Sequence, residues 1–518
     1  MSERIVGKNA LETLTTGMYK DSRIIFREYI QNSSDAIDNA INQGILKKEN
    51  NRIDVKIDIS KREIRIKDNG TGISNSEVYK NLGDIGVTTK DYKENRGFRG
   101  IGRLGGLGYC DELLFITSLK GEPIKTITKW DCKELRRLLK PNVAPDMSLI
   151  DVVNAVTNES SETENSESHY FEVILKGITK NNDKLLSIIE INDYLSQSAP
   201  VPFNYQNLTM LKAINENLSK RGKQPEEYNV FLNGEQIFKP YKRKVQAGKE
   251  NEKDFIEDII FFDSYNEDGS LFFLGWYAVT ALSGSIKEND VNGIRVRKHN
   301  ILIGDNYTLD PFFGNNPTYQ VRNRWFIGEI YVYDENLLPN ARRDDFEENE
   351  TYFNFKSEVE KTTKELGRLP HEVSKGRNAQ KEIVRAVNEI ANIKNEINGG
   401  ITSAGKERIS DKISKIEENL KKVPSKKNDK PKASYIINKS KIQKAEEPSD
   451  KKDLILMELE KLKNEVSESK NYMADQVPSS YPKDVRKVVR KIFEVIDKEL
   501  LELDAKRLQG KIIEELKK

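Results

Sequence analysis

Hydrophobic and polar positions alternate with two different periods along the first 200 residues. Around residues 27–40, an apolar stripe repeats at helical spacing and consists of Phe26, Ile30, Ile37 and Ile41. Segments 52–60 and 63–68 are apolar at every second position, which predicts a hairpin of two half-buried strands. Further strands are predicted at 113–118, 124–130 and 170–175. This mixture of helices and strands predicts an α+β fold class.

Residues 201–370 show the same mixture and are predicted to form a second unit, an α+β middle domain. Its strand-like pieces are 227–238, 258–265, 270–282, 293–304 and 324–334. In the first unit, the acidic stretch 157–168 holds four glutamates and no basic residue. This stretch is predicted to be a solvated, flexible insertion between strands.

Beyond the middle domain the pattern becomes helical. Segment 371–420 carries a stripe at Ile383, Val387, Ile390 and Ile397. Segment 451–518 carries a second stripe at Val485, Val488, Ile492, Ile496, Leu500 and Leu503. The intervening residues 421–450 are predicted to be a disordered basic linker, because 421–444 contain nine lysines and one aspartate. The second stripe fits either a dimer interface or an intramolecular bundle.

Composition narrows the classes of protein that fit. The 518 residues exceed one ordinary core, and 85 basic residues against 83 acidic ones indicate no particular partner. The two cysteines, Cys110 and Cys132, form no CxxC pattern, which argues against a zinc site or a disulfide framework. The N-terminus lacks the apolar run of a signal peptide, and no run approaches the ~18 residues of a membrane-spanning helix. We therefore expect a cytoplasmic protein without a membrane segment.

Candidate chemistry begins on the first helix. Glu28, Asn32 and Asp35 are spaced by four and three residues, so they share one helical face that has no Lys or Arg. The ordinary explanation of such a face is solvation. Asp38 and Asn39 lie further along and are interpreted as surface residues.

Two glycine-containing segments follow this helix. DNGTGI, residues 68–73, ends the hairpin and places Asp68 beside Gly70 and Gly72, which permit close backbone approach. The run GIGRLGGLG, residues 100–108, is predicted to open toward a helix, where free N–H groups can hold phosphate. Alone, the first could be an Asn-Gly turn, and the second is a weak GxGxxG signal without a preceding strand.

Taken in order, the three motifs resemble those of the GHKL ATPase superfamily, which includes gyrase, the ninety-kilodalton heat-shock chaperones, histidine kinases and MutL. REYIQNSSDA is similar to the E-x-x-x-N-x-x-D-A box, and DNGTGI is similar to the D-x-G-x-G box. KNLGDIGVTTK and GRLGGLG are similar to the third box and its lid, and the chaperone branch is the nearest likeness. The resemblance implies a Bergerat-type α/β sandwich over residues 1–200, with a lid near 86–100.

The resemblance also implies roles for individual residues. Glu28 would be the general base, Asn32 would hold Mg²⁺, and Asp68 would accept a hydrogen bond from the adenine amino group of ATP. Asp35 would line the same pocket. The other implied ATP-binding residues are Gly70, Gly72, Asn81, Gly83, Thr89, Lys90, Gly100, Gly102, Gly105 and Gly108. The family often has Gly-Thr before a late strand, where this chain has Ser168-His169.

The middle domain adds one candidate. DENLLPNARRDDFEEN, residues 334–349, resembles a loop of the chaperones' middle domain. By that match Arg343 would reach the γ-phosphate of ATP, because a guanidinium suits the charge spread over a transferring phosphoryl group. Arg342 is the neighbouring alternative, and a surface Arg-Asp pair is the ordinary explanation.

The predicted function is that of a Mg²⁺-dependent ATPase of the heat-shock chaperone-like type. ATP would drive closure of the lid and domains, so turnover would be slow, and the machine would act on a protein client or partner. The resemblance implies a homodimer. The alternative is a DNA-associated clamp ATPase, as in MutL and the MORC proteins, including one in prokaryotic defence. The basic linker could contact phosphates, but it also fits a solvated linker, so nucleic acid is not favoured as a partner.

Overall fold

The computed structural model of the protein describes residues 7–8, 11, 21–83, 96, 102–249, 252–398, 403–423, 448–468, 477 and 480–518. The chain divides into two compact units, residues 1–367 and 368–518. None of the helices in these described segments is long and apolar enough to cross a membrane.

A mixed sheet forms the framework of the first unit. Within the described residues it has eight strands in the order β5-β4-β3-β6-β2-β1-β7-β8. The strands are β1 Ile53–Asp58, β2 Glu63–Asp68, β3 Glu112–Ser118, β4 Ile124–Asp131, β5 Thr157–Thr163, β6 Tyr170–Lys176, β7 Val230–Leu232 and β8 Glu235–Gln236. Neighbouring strands are antiparallel except β1 and β7, which are parallel. The predicted α+β class and the predicted hairpin are confirmed.

Helix α1, Ile24–Asn42, packs its predicted stripe into the core of this sheet. Phe26, Ile30 and Ile37 are fully buried together with apolar residues of the strands. Burying each such side chain contributes about 1.5–3 kcal/mol, which holds the helix against the sheet. The other helices here are α2 Asn75–Gly83, α3 Cys132–Leu138, α4 Leu149–Val156, α5 Ile188–Ser198 and α6 Lys212–Lys220.

Three sequence expectations about this region were wrong. Thr157–Thr163 of the acidic stretch is a strand and not part of a flexible insertion, because it pairs along β4 through its backbone. Its side chains are largely exposed, as predicted, and hydropathy cannot detect such a strand. The glycine run does not open a helix, since Gly102–Gly108 is itself a 3-10 helix followed by β3. Strands β7 and β8 extend the first sheet, although their sequence position predicted them in the middle domain.

A second sheet follows in the same unit. In the described chain it has five strands in the order β11-β12-β15-β13-β14. They are β11 Asp258–Tyr265, β12 Leu271–Val279, β13 Gly293–Lys298, β14 Ile301–Ile303 and β15 Ile327–Val332. A separate antiparallel pair is formed by β9 Lys244–Gln246 and β10 Lys253–Phe255. The short helix α7 is Pro317–Gln320. Trp276 on β12 packs edge-on against Phe203 and Tyr241 within a core whose other members are mainly aliphatic.

A buried charge network crosses the second sheet. Glu329 accepts from Lys239 at 2.7 Å and from Arg297 at 2.5 Å, and all three side chains are fully buried. Burial alone would raise the pKa of Glu329, but the two cations outweigh it and hold that pKa at about 2. Arg297 also donates to the carbonyl of Gln197, at the end of α5. The network therefore ties the second sheet to the chain that leaves the first.

The second unit is helical. Helix α8, Glu350–Asn398, runs into it from the first unit and is followed by α9 Ser403–Lys421 and α10 Pro448–Glu468. These helices share a core that includes Ile383, Ile390, Ile413, Leu459 and Leu462. Val387, which belongs to the predicted stripe, is instead 48% exposed. Most of the predicted basic linker, residues 424–447, lies outside the described residues.

The last two helices are α11 Lys483–Glu499 and α12 Glu502–Lys517. The predicted stripe through Leu503 was wrong as one continuous face, because the helix ends at Glu499. Val489 and Phe493 are buried against α12, whereas the predicted Val488 and Ile492 are exposed. Helix α11 has two apolar faces, and periodicity alone does not tell which one packs within the chain.

Candidate active site

The polar face of α1 is buried. Glu28 is 7% exposed and Asp35 is 2% exposed, while Asn32 is partly buried. Carboxylates are seldom this buried unless cations or hydrogen-bond donors accompany them. Burial therefore excludes the ordinary explanation of this face, which was solvation.

The glycine turn Gly102–Gly108 lies against this face. Tyr29 on α1 accepts from the N–H of Gly106 at 3.1 Å and donates to the carbonyl of Arg103 at 3.1 Å. A Cβ added to Gly102 would lie 2.5 Å from Glu28 Oε2. A side chain at position 102 would therefore displace this carboxylate from its place. The turn also contains the predicted Gly105 and Gly108, so the first and third motifs meet.

Asp68 ends β2 close to the same helix. Its Oδ1 accepts from the N–H of Gly70 at 2.9 Å, and a Cβ on Gly70 would lie 2.6 Å from Ala36 Cβ on α1. Burial raises the pKa of Asp68 to about 6, although hydrogen bonds from the Gly70 amide and the Ser33 side chain partly oppose this. The second motif thus brings a buried carboxylate to α1.

The backbone at Gly72 is tightly packed against the end of β3. Gly72 has φ +72°, and a Cβ there would lie 2.0 Å from the carbonyl oxygen of Ser118. His169, which follows Ser168 just before β6, places Nδ1 2.9 Å from the carbonyl oxygen of Gly70. This histidine therefore supports the D-x-G-x-G segment from the neighbouring strand end.

Arg343 reaches the site from the loop after β15. It is 7% exposed, and its Nε lies 3.3 Å from Glu28 Oε1. Arg342 is exposed, so of the two neighbouring arginines Arg343 is the one that contacts Glu28. Arg343 also has φ +57°, a left-handed conformation that costs about 1–2 kcal/mol for a residue other than glycine. Such local strain is common at functional sites.

The second sheet holds this loop in place. Lys298 on β13 donates to the carbonyls of Asp334 at 2.7 Å and Leu337 at 2.9 Å. Burial lowers the pKa of Lys298 to about 8 despite nearby carboxylates. The N–H of Gly304, after β14, donates to the carbonyl of Arg343 at 2.8 Å. Arg343 is therefore positioned by the second sheet and points into the first motif.

Two more basic residues complete the site, and sequence reasoning missed both. Arg27 donates to the carbonyl of Arg342 at 3.1 Å and lies 3.8 Å from Glu28 Oε1. Arg96 donates through its main-chain N–H to Asp35 Oδ1 at 3.0 Å, and its Nη1 lies 2.7 Å from Asp38 Oδ2. Asp38, although its side chain is 39% exposed, therefore forms an ion pair with the buried Arg96. The only sequence signal for either arginine was that Arg27 directly precedes Glu28.

The family comparison agrees with this geometry. Residues 21–163 match the family described as histidine kinase-, DNA gyrase B- and HSP90-like ATPases. They form a GHKL-type ATPase domain. The match covers all of α1, the Asp68 segment, the glycine turn and strands β1 to β5.

Chaperones are among the similar proteins. "Chaperone protein HtpG" of Acinetobacter baylyi is 30% identical over 138 residues, which are 23% of this chain and 22% of that protein. The HtpG of Buchnera aphidicola is 28% identical over 243 residues, 43% of this chain and 38% of its own length. The HtpG of Coxiella burnetii is 36% identical over 94 residues, 17% and 15% respectively. The chain thus spans at most 38% of these relatives.

The remaining predicted residues of the ATPase domain are less informative. Asn81 and Gly83 lie at the end of α2, whose Val78 and Leu82 are buried in the core. Their role in ATP binding stays a prediction. Thr89, Lys90 and Gly100 lie outside the described residues.

Proposed function

We propose that the protein hydrolyses ATP by a mechanism that needs Arg343 beside Glu28. The contact of 3.3 Å between Arg343 Nε and Glu28 Oε1 carries this proposal. This contact joins Arg343, in the loop after β15, to Glu28 in the first GHKL motif of the ATPase domain. The likeness of the ATPase domain to HtpG supports a chaperone-like ATPase.

In the proposed mechanism, the oxygen of a water attacks the γ-phosphorus of ATP and the bond to the β-phosphate oxygen breaks. Glu28 accepts the proton of the attacking water, so that ADP and phosphate are the products. Asp68 accepts from the adenine amino group and thereby orients the nucleotide. The glycine turn that begins at Gly102 supplies N–H groups to the phosphates.

The residues present also fit Mg²⁺. In the described parts of the chain no three His, Cys, Asp or Glu side chains are grouped to hold a metal ion by themselves. Mg²⁺ on a nucleotide needs few protein ligands, because phosphates and waters fill most of its octahedral shell. Asn32, one helical turn after Glu28, would supply an amide oxygen. The bound ion would neutralise the phosphate charge.

Arg343 has two partners in this proposal, Glu28 and the γ-phosphate of ATP. Its guanidinium pairs with Glu28 through Nε. The γ-phosphate would bind the same guanidinium, whose charge and donors suit phosphate oxygens. Arg343 would thus hold the γ-phosphate close to the carboxylate that binds the attacking water. ATP binding and activation of the base would therefore be linked, and slow, gated turnover is expected.

A matched pair of arginine variants tests this role. Arg343→Ala should lower kcat by roughly a thousandfold, because it removes the cation that stabilises the transferring phosphoryl group. The control, Arg342→Ala, alters an exposed side chain and should keep near wild-type kcat. Steady-state release of phosphate measures both. Equal activity of the two variants would show that Arg343 has no part in hydrolysis.

We further propose that the ATPase acts on a protein client in the cytoplasm. The resemblance to proteins named as chaperones supports this substrate class. The DNA-clamp alternative has no comparable support among the described residues. Co-purification of the full chain followed by mass spectrometry identifies the client.

A homodimer formed through α11 is also proposed. Val485, Val488, Ile492 and Val495 are exposed and are spaced by three, four and three residues. This spacing is that of the a and d positions of a coiled coil. We expect Ile492→Asp to reduce the mass in solution from dimer to monomer. The control Lys487→Asp, on the polar side of the same helix, should remain dimeric. Light scattering measures both, and an unchanged mass for Ile492→Asp contradicts this interface.

A further inference from the structure

Arg96 receives polar contacts from separate segments of the first unit. Its Nη1 lies 2.7 Å from Asp38 Oδ2 on α1. Its Nη2 lies 2.7 Å from Glu226 Oε2 and 2.8 Å from the hydroxyl of Tyr228, just before β7. Its main-chain N–H donates to Asp35. We refer to Arg96, Asp35, Asp38, Glu226 and Tyr228 as the Arg96 cluster.

The acceptors in this cluster are themselves fixed. Tyr228 donates to Asp38 Oδ1 at 2.6 Å, and Glu226 Oε2 lies 3.1 Å from Nδ1 of His299. Asn300 donates to the carbonyl of Glu226 at 2.8 Å. The turn between β13 and β14 therefore braces the cluster from the second sheet. Because Arg96 is only 5% exposed, its guanidinium has little freedom to move.

The main-chain carbonyl of Arg96 connects the cluster to the candidate active site. It accepts from Nη2 of Arg343 at 2.5 Å, while Nε of the same guanidinium lies 3.3 Å from Glu28 Oε1. A guanidinium is planar and rigid, so a bond at Nη2 determines where Nε points. The position of residue 96 thus affects the direction in which Arg343 meets Glu28.

We propose that Arg96 is a positioning residue for ATP hydrolysis, because the Arg96 cluster holds the carbonyl that aligns Arg343 beside Glu28. The inference rests on the proposed role of Arg343. Arg96 acts through that arginine and not on ATP itself. Three carboxylates surround its guanidinium, so their attraction also resists any displacement of residue 96. The cluster is a supporting layer that keeps a catalytic group in productive geometry.

Two variants weaken the cluster without altering Arg343 or Glu28. Arg96→Lys keeps the charge but loses the forked geometry that serves several acceptors, and Asp38→Asn removes one carboxylate charge. Asp54→Asn is the control, because Asp54 pairs at 2.7 Å with Arg52 outside the cluster. Thermal unfolding shows which variants fold. If Arg96→Lys does not fold, Asp38→Asn still tests the inference. Each substitution is also made together with Arg343→Ala.

We expect the folded cluster variants to lower kcat about tenfold or more, with KM for ATP changed by less than about threefold. In the Arg343→Ala background the same substitutions should have no further effect, because the group they align is gone. The inference about Arg96 is wrong if the cluster variants keep the wild-type kcat, or if they lower kcat as much in the Arg343→Ala background as in the wild type. Either result leaves the proposed role of Arg343 standing. An unchanged kcat for Arg343→Ala by itself overturns the proposed role of Arg343, and this inference with it.

Discussion

We expect Glu28→Gln to bind ATP normally and to hydrolyse it about a thousandfold more slowly than the wild type. The amide has nearly the same shape as the carboxylate, so the close packing against Gly102 is kept. It cannot take a proton from water, and it no longer carries the charge that pairs with Arg343. Phosphate release measures hydrolysis, and equilibrium binding of a fluorescent ATP analogue measures affinity.

The control for Glu28→Gln is Glu63→Gln. Glu63 lies on β2 of the same ATPase domain and pairs with Arg65 at 2.6 Å. Its replacement should leave both kcat and ATP affinity near wild-type values. If Glu28→Gln retains its hydrolysis while ATP still binds, Glu28 is not the general base.

The second large effect concerns Asp68. We expect Asp68→Asn to weaken ATP binding by about 10- to 100-fold, which corresponds to the ~1–3 kcal/mol cost of an unsatisfied buried polar group. Oδ1 of Asp68 accepts from Gly70, so the asparagine oxygen would keep that place. Its NH₂ group would then face the adenine amino group, and two donors would meet. Isothermal titration measures the change.

The same substitution should change stability in the opposite direction. The folded-state pKa of Asp68 is about 6, whereas an unfolded aspartate titrates near 3.9. As pH rises from 4 to 6, the unfolded chain loses this proton first, so the wild type loses stability over that window. Above pH 6 the loss is complete and amounts to about 3 kcal/mol. Asp68→Asn lacks this titration and should unfold at a higher temperature than the wild type at pH 7.

The pH dependence of ATP binding provides a further check on Asp68. Wild-type affinity should fall as pH drops below about 6, because protonation removes an acceptor for the adenine amino group. Asp68→Asn should show no such step. Asp58→Asn, at the exposed hairpin end of β1, is the control and should resemble the wild type. Normal ATP affinity in Asp68→Asn would mean that the adenine does not bind here.

Local patterns predicted the elements that carry the site. The stripe of Phe26, Ile30 and Ile37 and the alternation in 52–60 are imposed by burial of one face, which leaves a period in the sequence. The pattern failed for Thr157–Thr163, because an exposed edge strand is held by backbone bonds and needs no apolar side chains. It also failed for Val488 and Ile492, since helical spacing does not state which face is covered within the chain.

The sequence by itself determined the fold class, the first helix and hairpin, and the Glu28 and Asp68 motifs, because each depends on residues close together in the chain. Only the tertiary structure decided which arginine meets Glu28. Arg343 is 315 positions away from it in sequence, and its left-handed backbone and the second sheet select it over Arg342. The Arg96 cluster was equally invisible, since its members come from segments whose spacing has no fixed value. Contacts between distant segments arise from tertiary packing, which produces no periodic pattern in the sequence.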